Sequence, residues 1–207
     1  LMLVLVVCLG LAWFVLMADD YKRLGKHTIA GTLFISNFVL RNEAGYFDTS
    51  AEDKPLLHLW SLGVEEQFYI FFPLIIAALV RWRRHGAVLP ALAALFAASF
   101  ALNLGMTRSA PVSAFFYPHT RVWELLAGSL LAAFVLRGGL PAANASSTAA
   151  GVRSLSGGAL IVAAFVLIAP EDRFPGWWAL MPVLGATLLI SAGARAPINR
   201  LLGCRLM

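Results

Sequence analysis

Residues 55–80 read PLLHLWSLGVEEQFYIFFPLIIAALV. The second half of this stretch is apolar, and residues 58–80 are long enough to cross a bilayer, which takes about 20 residues in a helix. Pro55 opens that helix, where a missing N–H costs nothing. The first half carries a histidine and two adjacent carboxylates into the same segment. At about 100° per residue, His58, Ser61, Leu62, Glu65 and Tyr69 fall within about 100° of one another, with Glu66 at the margin of that face. A rise of ~1.5 Å per residue puts Glu65 and Glu66 roughly 10–14 Å below the helix start, in or near hydrocarbon. An ionised carboxylate there costs at least ~2.5–3.5 kcal/mol, so it faces the bundle interior or water and takes a partner. Pairing with an arginine to fix helix packing would satisfy that need. Two acids together below a histidine and a serine point to a site.

The rest of the chain agrees with a membrane setting. Of its 207 residues, 60% are hydrophobic and only 13% charged, too little polar surface for a soluble domain of this size. The expected fold is all-α, a polytopic transmembrane helix bundle with about seven membrane segments, near 1–18, 24–41, 58–80, 86–107, 119–137, 155–169 and 177–194. Residues 138–151, GGLPAANASSTAAG, read as a flexible connector. Cys8 and Cys204 lie far apart and suit packing rather than a disulfide or metal site. The formal charge of +5 comes from short basic clusters beside apolar runs, without the aromatic-interleaved stripe of a nucleic-acid binder. The opening LMLVLVVCLGLAWFVLMA lacks a basic n-region and a cleavage site, so the chain is expected to be a fragment starting inside a longer protein.

Grouping alternate loops puts eleven of the sixteen basic residues, among them Lys22, Arg23 and Lys26, on one side, which should be the cytoplasm. Residues 42–57 then form an outer loop, and Asn144-Ala-Ser146 faces inward and is no glycosylation site.

A second constellation, FFYPHTRVWELLAG (115–128), starts the fifth segment from the same outer side. Arg121, Glu124 and Gly128 share a helical face, with Tyr117 and His119 just above. A plain Arg121–Glu124 pair, with Trp123 in the interfacial aromatic belt, is the structural alternative. The sharper expectation is that Arg121 is the counter-charge for Glu65 or Glu66. His27 and His85, beside basic loop residues, read as solvated or facing headgroups. No metal-ligand spacing and no Gly-x-Ser-x-Gly elbow occurs, which disfavours metal and serine-hydrolase chemistry.

The order of LFISNFVL (33–40), YFD (46–48), KPLLHLWSLGVEEQFYIFFPLI (54–75), FFYPHTRVWELLAG (115–128) and FPGWWALMPVLGATLLI (174–190) resembles the acyltransferase 3 family of membrane proteins, particularly bacterial sugar and lipopolysaccharide O-acetyltransferases of the cell envelope. The resemblance covers most of the chain. It implies an acyltransferase, transferring groups other than aminoacyl groups, in the bacterial inner membrane. An acyl group, commonly acetyl, would pass from acetyl-CoA, a donor substrate rather than a tightly bound cofactor, to a hydroxyl of an extracytoplasmic glycan. Partners would be membrane lipids, acyl-CoA and the glycan, with no nucleic acid and no metal.

In that reading His58, Glu65, Glu66, Arg121 and Glu124 support catalysis from the acceptor side, while Trp60, Ser61 and Tyr117 bind substrate. The family's N-terminal helix, with a basic residue followed by a histidine, would lie before Leu1, and its last helices beyond Met207. Residues 1–207 are thus expected to be a fragment of one transmembrane acyltransferase domain, inactive alone. The rival is a transporter or flippase using Glu65, Glu66 and Arg121 as a coupling relay. Against it, no pair of Gly/Pro-broken helices occupies matching halves of the chain.

Overall fold

The computed structural model describes residues 1–44, 56–81, 85–139, 148–169 and 171–203. The YFD loop at 46–48, Lys54, Pro55, Arg83, Arg84, most of the 138–151 connector with Asn144, Cys204 and Arg205 lie outside the described residues. The regular elements are helical: α1 Met2–Val15, α2 Ala18–Thr32, α3 Ser36–Glu43, α4 Leu59–Arg81, α5 Val88–Ser109, α6 Pro111–Phe116, α7 Val122–Leu136, α8 Thr148–Leu167, α9 Leu180–Ala192 and α10 Pro197–Leu202. Single 3-10 turns precede α5 at His85–Ala87 and α7 at Pro118–Thr120.

Among the described residues three helices, α4, α5 and α8, are long and apolar enough to cross a membrane, while α1, α7 and α9 are shorter apolar helices. Side chains such as Phe14, Phe71, Leu74, Phe165 and Val166 point outward. An apolar surface on this scale suits lipid and would aggregate in water. The molecule is a membrane protein.

The expected second span, 24–41, is two helices joined by a turn. Phe34 has φ 56°, the left-handed conformation usually taken by glycine at the end of a helix. The hydrogen bonds from Phe34 N–H to Gly31 C=O and from Ile35 N–H to Ala30 C=O are those of a Schellman motif. No glycine or proline marks the break. It is held from outside, because Gln67 of α4 donates to the Phe34 carbonyl at 2.7 Å.

At the far end of α3, Glu43 accepts a hydrogen bond from Lys26 and stands 3.0 Å from Nε2 of His27, both partway along α2. His27 is therefore buried and paired, not solvated, and residues 22–26 sit at the same end of the bundle as Glu43. By chain order this leaves eight basic residues on each side instead of eleven and five, so the basic count no longer orients the protein. What separates the ends is acidity. Among the described residues Arg81, Arg137, Arg153, Arg195 and Arg200 gather at one end without an acid, and the acids lie toward the other.

Leu5 and Ala12 of α1 pack on Leu24, Leu56 and Leu59, with Cys8 against the same cluster, so α1 leans on α2 and the start of α4. The closest helix pair is α8 with α9. A Cβ on Gly157 would lie 2.7 Å from the Gly185 carbonyl oxygen, and one on Gly185 would lie 2.9 Å from that of Gly157. Small residues let these backbones touch, as membrane helices do when lipid supplies no hydrophobic drive for association.

Candidate functional site at the acidic end

Three polar knots set the geometry. Asn37, fully buried, donates to Phe116 C=O at 3.2 Å and accepts from Gln67 at 3.0 Å, tying α3 to α6 and α4. Gly63 permits this, since a Cβ there would lie 3.1 Å from the Phe34 carbonyl oxygen and 3.2 Å from Asn37 Oδ1. The hydroxyl of Ser99 donates to His119 C=O at 2.7 Å and accepts from Trp123 N–H at 3.2 Å, pinning the start of α7 to α5. Asn103, also fully buried, exchanges two hydrogen bonds with the Gly176 backbone, at 3.0 and 3.2 Å, and Thr107 donates to Asn103 Oδ1. Gly176 has φ 43°, and a Cβ there would lie 2.8 Å from the Arg173 carbonyl oxygen. Buried amides cost little when both halves are satisfied, and they fix register because alternatives leave them unpaired.

These knots place Arg121, the N-cap residue of α7, inside an aromatic box. Its guanidinium carbon lies 5.3 Å from the ring centroid of Trp60, 5.6 Å from that of Phe115 and 5.4 Å from that of Phe174. Each is within cation–π range. Its Nε stands 3.2 Å from Oε1 of Glu124, and both side chains are largely buried. Arg121 Nη1 and Glu124 Oε1 nevertheless have no hydrogen-bond partner. Both residues line a cavity of about 390 Å³ between α7 and α9, whose walls include Gly128, Val183, Ala186 and Ile190. Both atoms lie beneath the surface, and leaving either without a hydrogen bond costs about 1–3 kcal/mol.

The structure joins the two constellations through Trp60, not through a carboxylate. Among the described residues no ion pair or hydrogen bond involves Glu65 or Glu66; both are half-buried, and the counter-charge of Arg121 is Glu124. The expected Glu65/Glu66–Arg121 pair is absent because a residue one helical turn away takes that role. His58 is exposed, and its carbonyl accepts from the Ser61 hydroxyl at 3.1 Å. Tyr117 belongs to a neighbouring cluster, 5.2 Å from the His119 ring and 5.4 Å from the Arg41 guanidinium, with Arg41 Nε donating to Ser113. Trp123 is wholly buried, edge-on to Phe96 and Phe100, and is an internal anchor rather than a belt residue. Sequence reading missed Phe115 and Phe174 as walls and Asn37, Gly63, Gln67 and Asn103 as braces. The Gly63–Gln67 spacing of four inside the quoted motif was the available signal for two of them.

The chain is 30% identical over 192 residues to a Komagataeibacter xylinus protein named "Putative membrane-bound transacylase BcsY", covering 92% of this chain and 46% of that one. It is 37% identical over 128 residues to an uncharacterised Haemophilus influenzae protein, covering 56% of this chain and 50% of that one. Several Staphylococcus aureus proteins named "Putative O-acetyltransferase" match at 39% identity over 79 residues, 38% of this chain and 13% of theirs. The chain thus spans about half the length of the first two relatives. No protein-family profile and no solved structure matches the chain.

Proposed function

We propose that the protein is a membrane O-acyltransferase of the acyltransferase 3 type, moving an acyl group, acetyl in the simplest case, from acyl-CoA to a hydroxyl of an extracytoplasmic glycan. In this reading the acidic end faces out of the cytoplasm and holds the acceptor. The observation that carries the proposal is the largely buried Arg121–Glu124 pair whose residues line one cavity. A hydroxyl is both acceptor and donor, so its oxygen can take the Arg121 N–H while its proton points at Glu124. Transfer forms the new C–O ester bond and breaks the thioester C–S bond. The hydroxyl proton leaves toward the Glu124 carboxylate and ends on the departing thiolate, and Arg121 stabilises the oxyanion that develops between the two events. Trp60 holds the guanidinium in place, Tyr117 and Ser61 are assigned to substrate binding, and His58, Glu65 and Glu66 to support of the acceptor side.

The test is acyl-CoA-dependent glycan acylation by the whole protein, per molecule accumulated in the membrane. Glu124→Gln should lower it about 10²–10³-fold, the usual cost of one positioned acid–base group, with insertion unchanged. Undiminished acylation in that variant, or acylation that needs no acyl-CoA, refutes the assignment.

A further inference from the structure

We infer that the acidic end carries a second subsite, between Arg108 and Arg173, that binds an oxyanion of the acceptor, a carboxylate or a phosphate on one of its sugars. The inference rests on the acyl-transfer reading and adds the substrate's class, an acidic glycan. Arg108 lies in the last turn of α5 and Arg173 in the segment leading to α9, and both line a cavity of about 160 Å³ with Trp177 and Trp178. Among the described residues neither guanidinium forms an ion pair or a hydrogen bond. The two acids that precede Arg173 do not neutralise the pair. Asp172 accepts from the Ala169 N–H at 2.8 Å, and Glu171, exposed, makes no ion pair. Two like charges on one small cavity repel, and an anion between them removes that repulsion. The planar fork of a guanidinium matches carboxylate and phosphate alike. This volume is below the roughly 300–1,000 Å³ of a drug-sized site, so the cavity takes one group of a larger ligand. Beside it Trp177, itself exposed, is held edge-on by Phe100 at 5.4 Å. The C–H face of a sugar ring packs well on such an indole.

The floor of this cavity is fixed, and it adjoins the Arg121 box. Thr107 and Gly176 both line it, and the Gly176 N–H points at Asn103 Oδ1 and at the Thr107 hydroxyl, 3.0 and 3.3 Å away. Only glycine fits there, because a Cβ would lie 2.8 Å from the Arg173 carbonyl oxygen and 3.2 Å from the Thr107 methyl. The polar knot between α5 and the 173–176 segment therefore brings Arg173 to the end of α5, where Arg108 stands. The next residue, Phe174, is a wall of the aromatic box around Arg121 and lines the larger cavity. An anion held by Arg173 thus sits one residue of chain away from that box. A lipid headgroup phosphate is the other source of the same chemistry. Interfacial arginines and belt tryptophans reach headgroups by their own length and need no fixed floor, which favours the glycan.

The experiment uses the whole protein in nanodiscs of phosphatidylcholine alone and of phosphatidylcholine with phosphatidylglycerol. The probe is the soluble glycan of cells lacking the protein, used as extracted, after chemical reduction of its carboxylates, and after removal of its phosphates. Wild type, Arg108→Gln, Arg173→Gln and Arg173→Lys are compared in glycan binding, read by tryptophan fluorescence, and in acyl-CoA-dependent acylation. Both arginines are exposed, so these variants should accumulate and fold like wild type. Each Gln variant should raise KM for the untreated glycan about 10–100-fold, the cost of a hydrogen bond to a charged group, with kcat within about twofold. Arg173→Lys should fall between, since it keeps the charge and loses the fork. One of the two treatments should raise the wild-type KM by a similar factor and erase the difference between wild type and the Gln variants. Equal KM in wild type and Gln variants, a KM indifferent to both treatments, or no binding by wild type overturns the inference. An effect of the Gln variants confined to the discs with phosphatidylglycerol gives the arginines to a lipid headgroup and also overturns it. Normal acylation alongside any of these leaves the acyl-transfer reading standing. Arginine-dependent binding of the untreated glycan by a protein that acylates nothing would instead refute that reading and keep the subsite.

Discussion

Replacing Glu124 by leucine should unfold the protein more easily, and replacing Arg121 by methionine in the same molecule should restore most of the loss. Arg121 Nε and Glu124 Oε1 are 3.2 Å apart, with side-chain exposures of 12% and 23%. At an effective dielectric of about 20, unit charges at that separation attract by about 5 kcal/mol. The three aromatic faces around the guanidinium are present with and without Glu124, so they do not offset that loss. The single variant should therefore be less stable by about 3–5 kcal/mol, what breaking a buried pair costs. Arg121→Met with Glu124→Leu leaves no buried charge and sets a flexible thioether among Trp60, Phe115 and Phe174, so it should unfold within about 1 kcal/mol of wild type. Both variants should be inactive. Stability would be read from denaturant-induced unfolding in detergent micelles, and activity from acyl transfer by the same preparations. If Glu124→Leu unfolds like wild type, or the double variant is no more stable than the single one, the ion pair is not the buried, compensated unit described. An active double variant would remove the pair from the site altogether.

Two further outcomes test the fold. Single cysteines replacing Lys22 and Asn42 should react with an impermeant thiol reagent from the same face of the membrane, and one replacing Arg200 from the opposite face, because Lys26 and His27 both reach Glu43; labelling of positions 22 and 42 from opposite faces would restore 24–41 as a span. Asn37→Leu should cost about 1–3 kcal/mol in the same unfolding assay, since it leaves Phe116 C=O without its donor and removes one of the two acceptors of Gln67; an unaffected protein would show that this amide is not what holds α3 to α4 and α6.

Periodicity and length in the sequence determined that the chain is helical, that it lives in a membrane, and that the runs near 58–80, 86–107 and 119–137 are separate apolar segments, which the structure forms as helices 59–81, 88–109 and 122–136. These are one-dimensional properties, because a run too apolar for water has few places to go and a helix satisfies its own backbone there. The shared face of Arg121, Glu124 and Gly128 was legible for the same reason, being a matter of turns along one helix. Three things were not. The break at Phe34 carries no glycine or proline, and it exists because Gln67, 33 residues later, binds the carbonyl the turn exposes. His27 reads as solvated among Lys22, Arg23 and Lys26, and only the return of α3 brings Glu43 to it. The counter-charge of Arg121 was sought across the bundle at Glu65 and Glu66 and lies three residues away, while the cross-bundle contact is the face of Trp60. Each depends on which chemically adequate partner is nearest in space. Helix spacing cannot rank partners on different helices, and the desolvation of an arginine is met as well by aromatic faces as by a second carboxylate, so only the packed bundle decides.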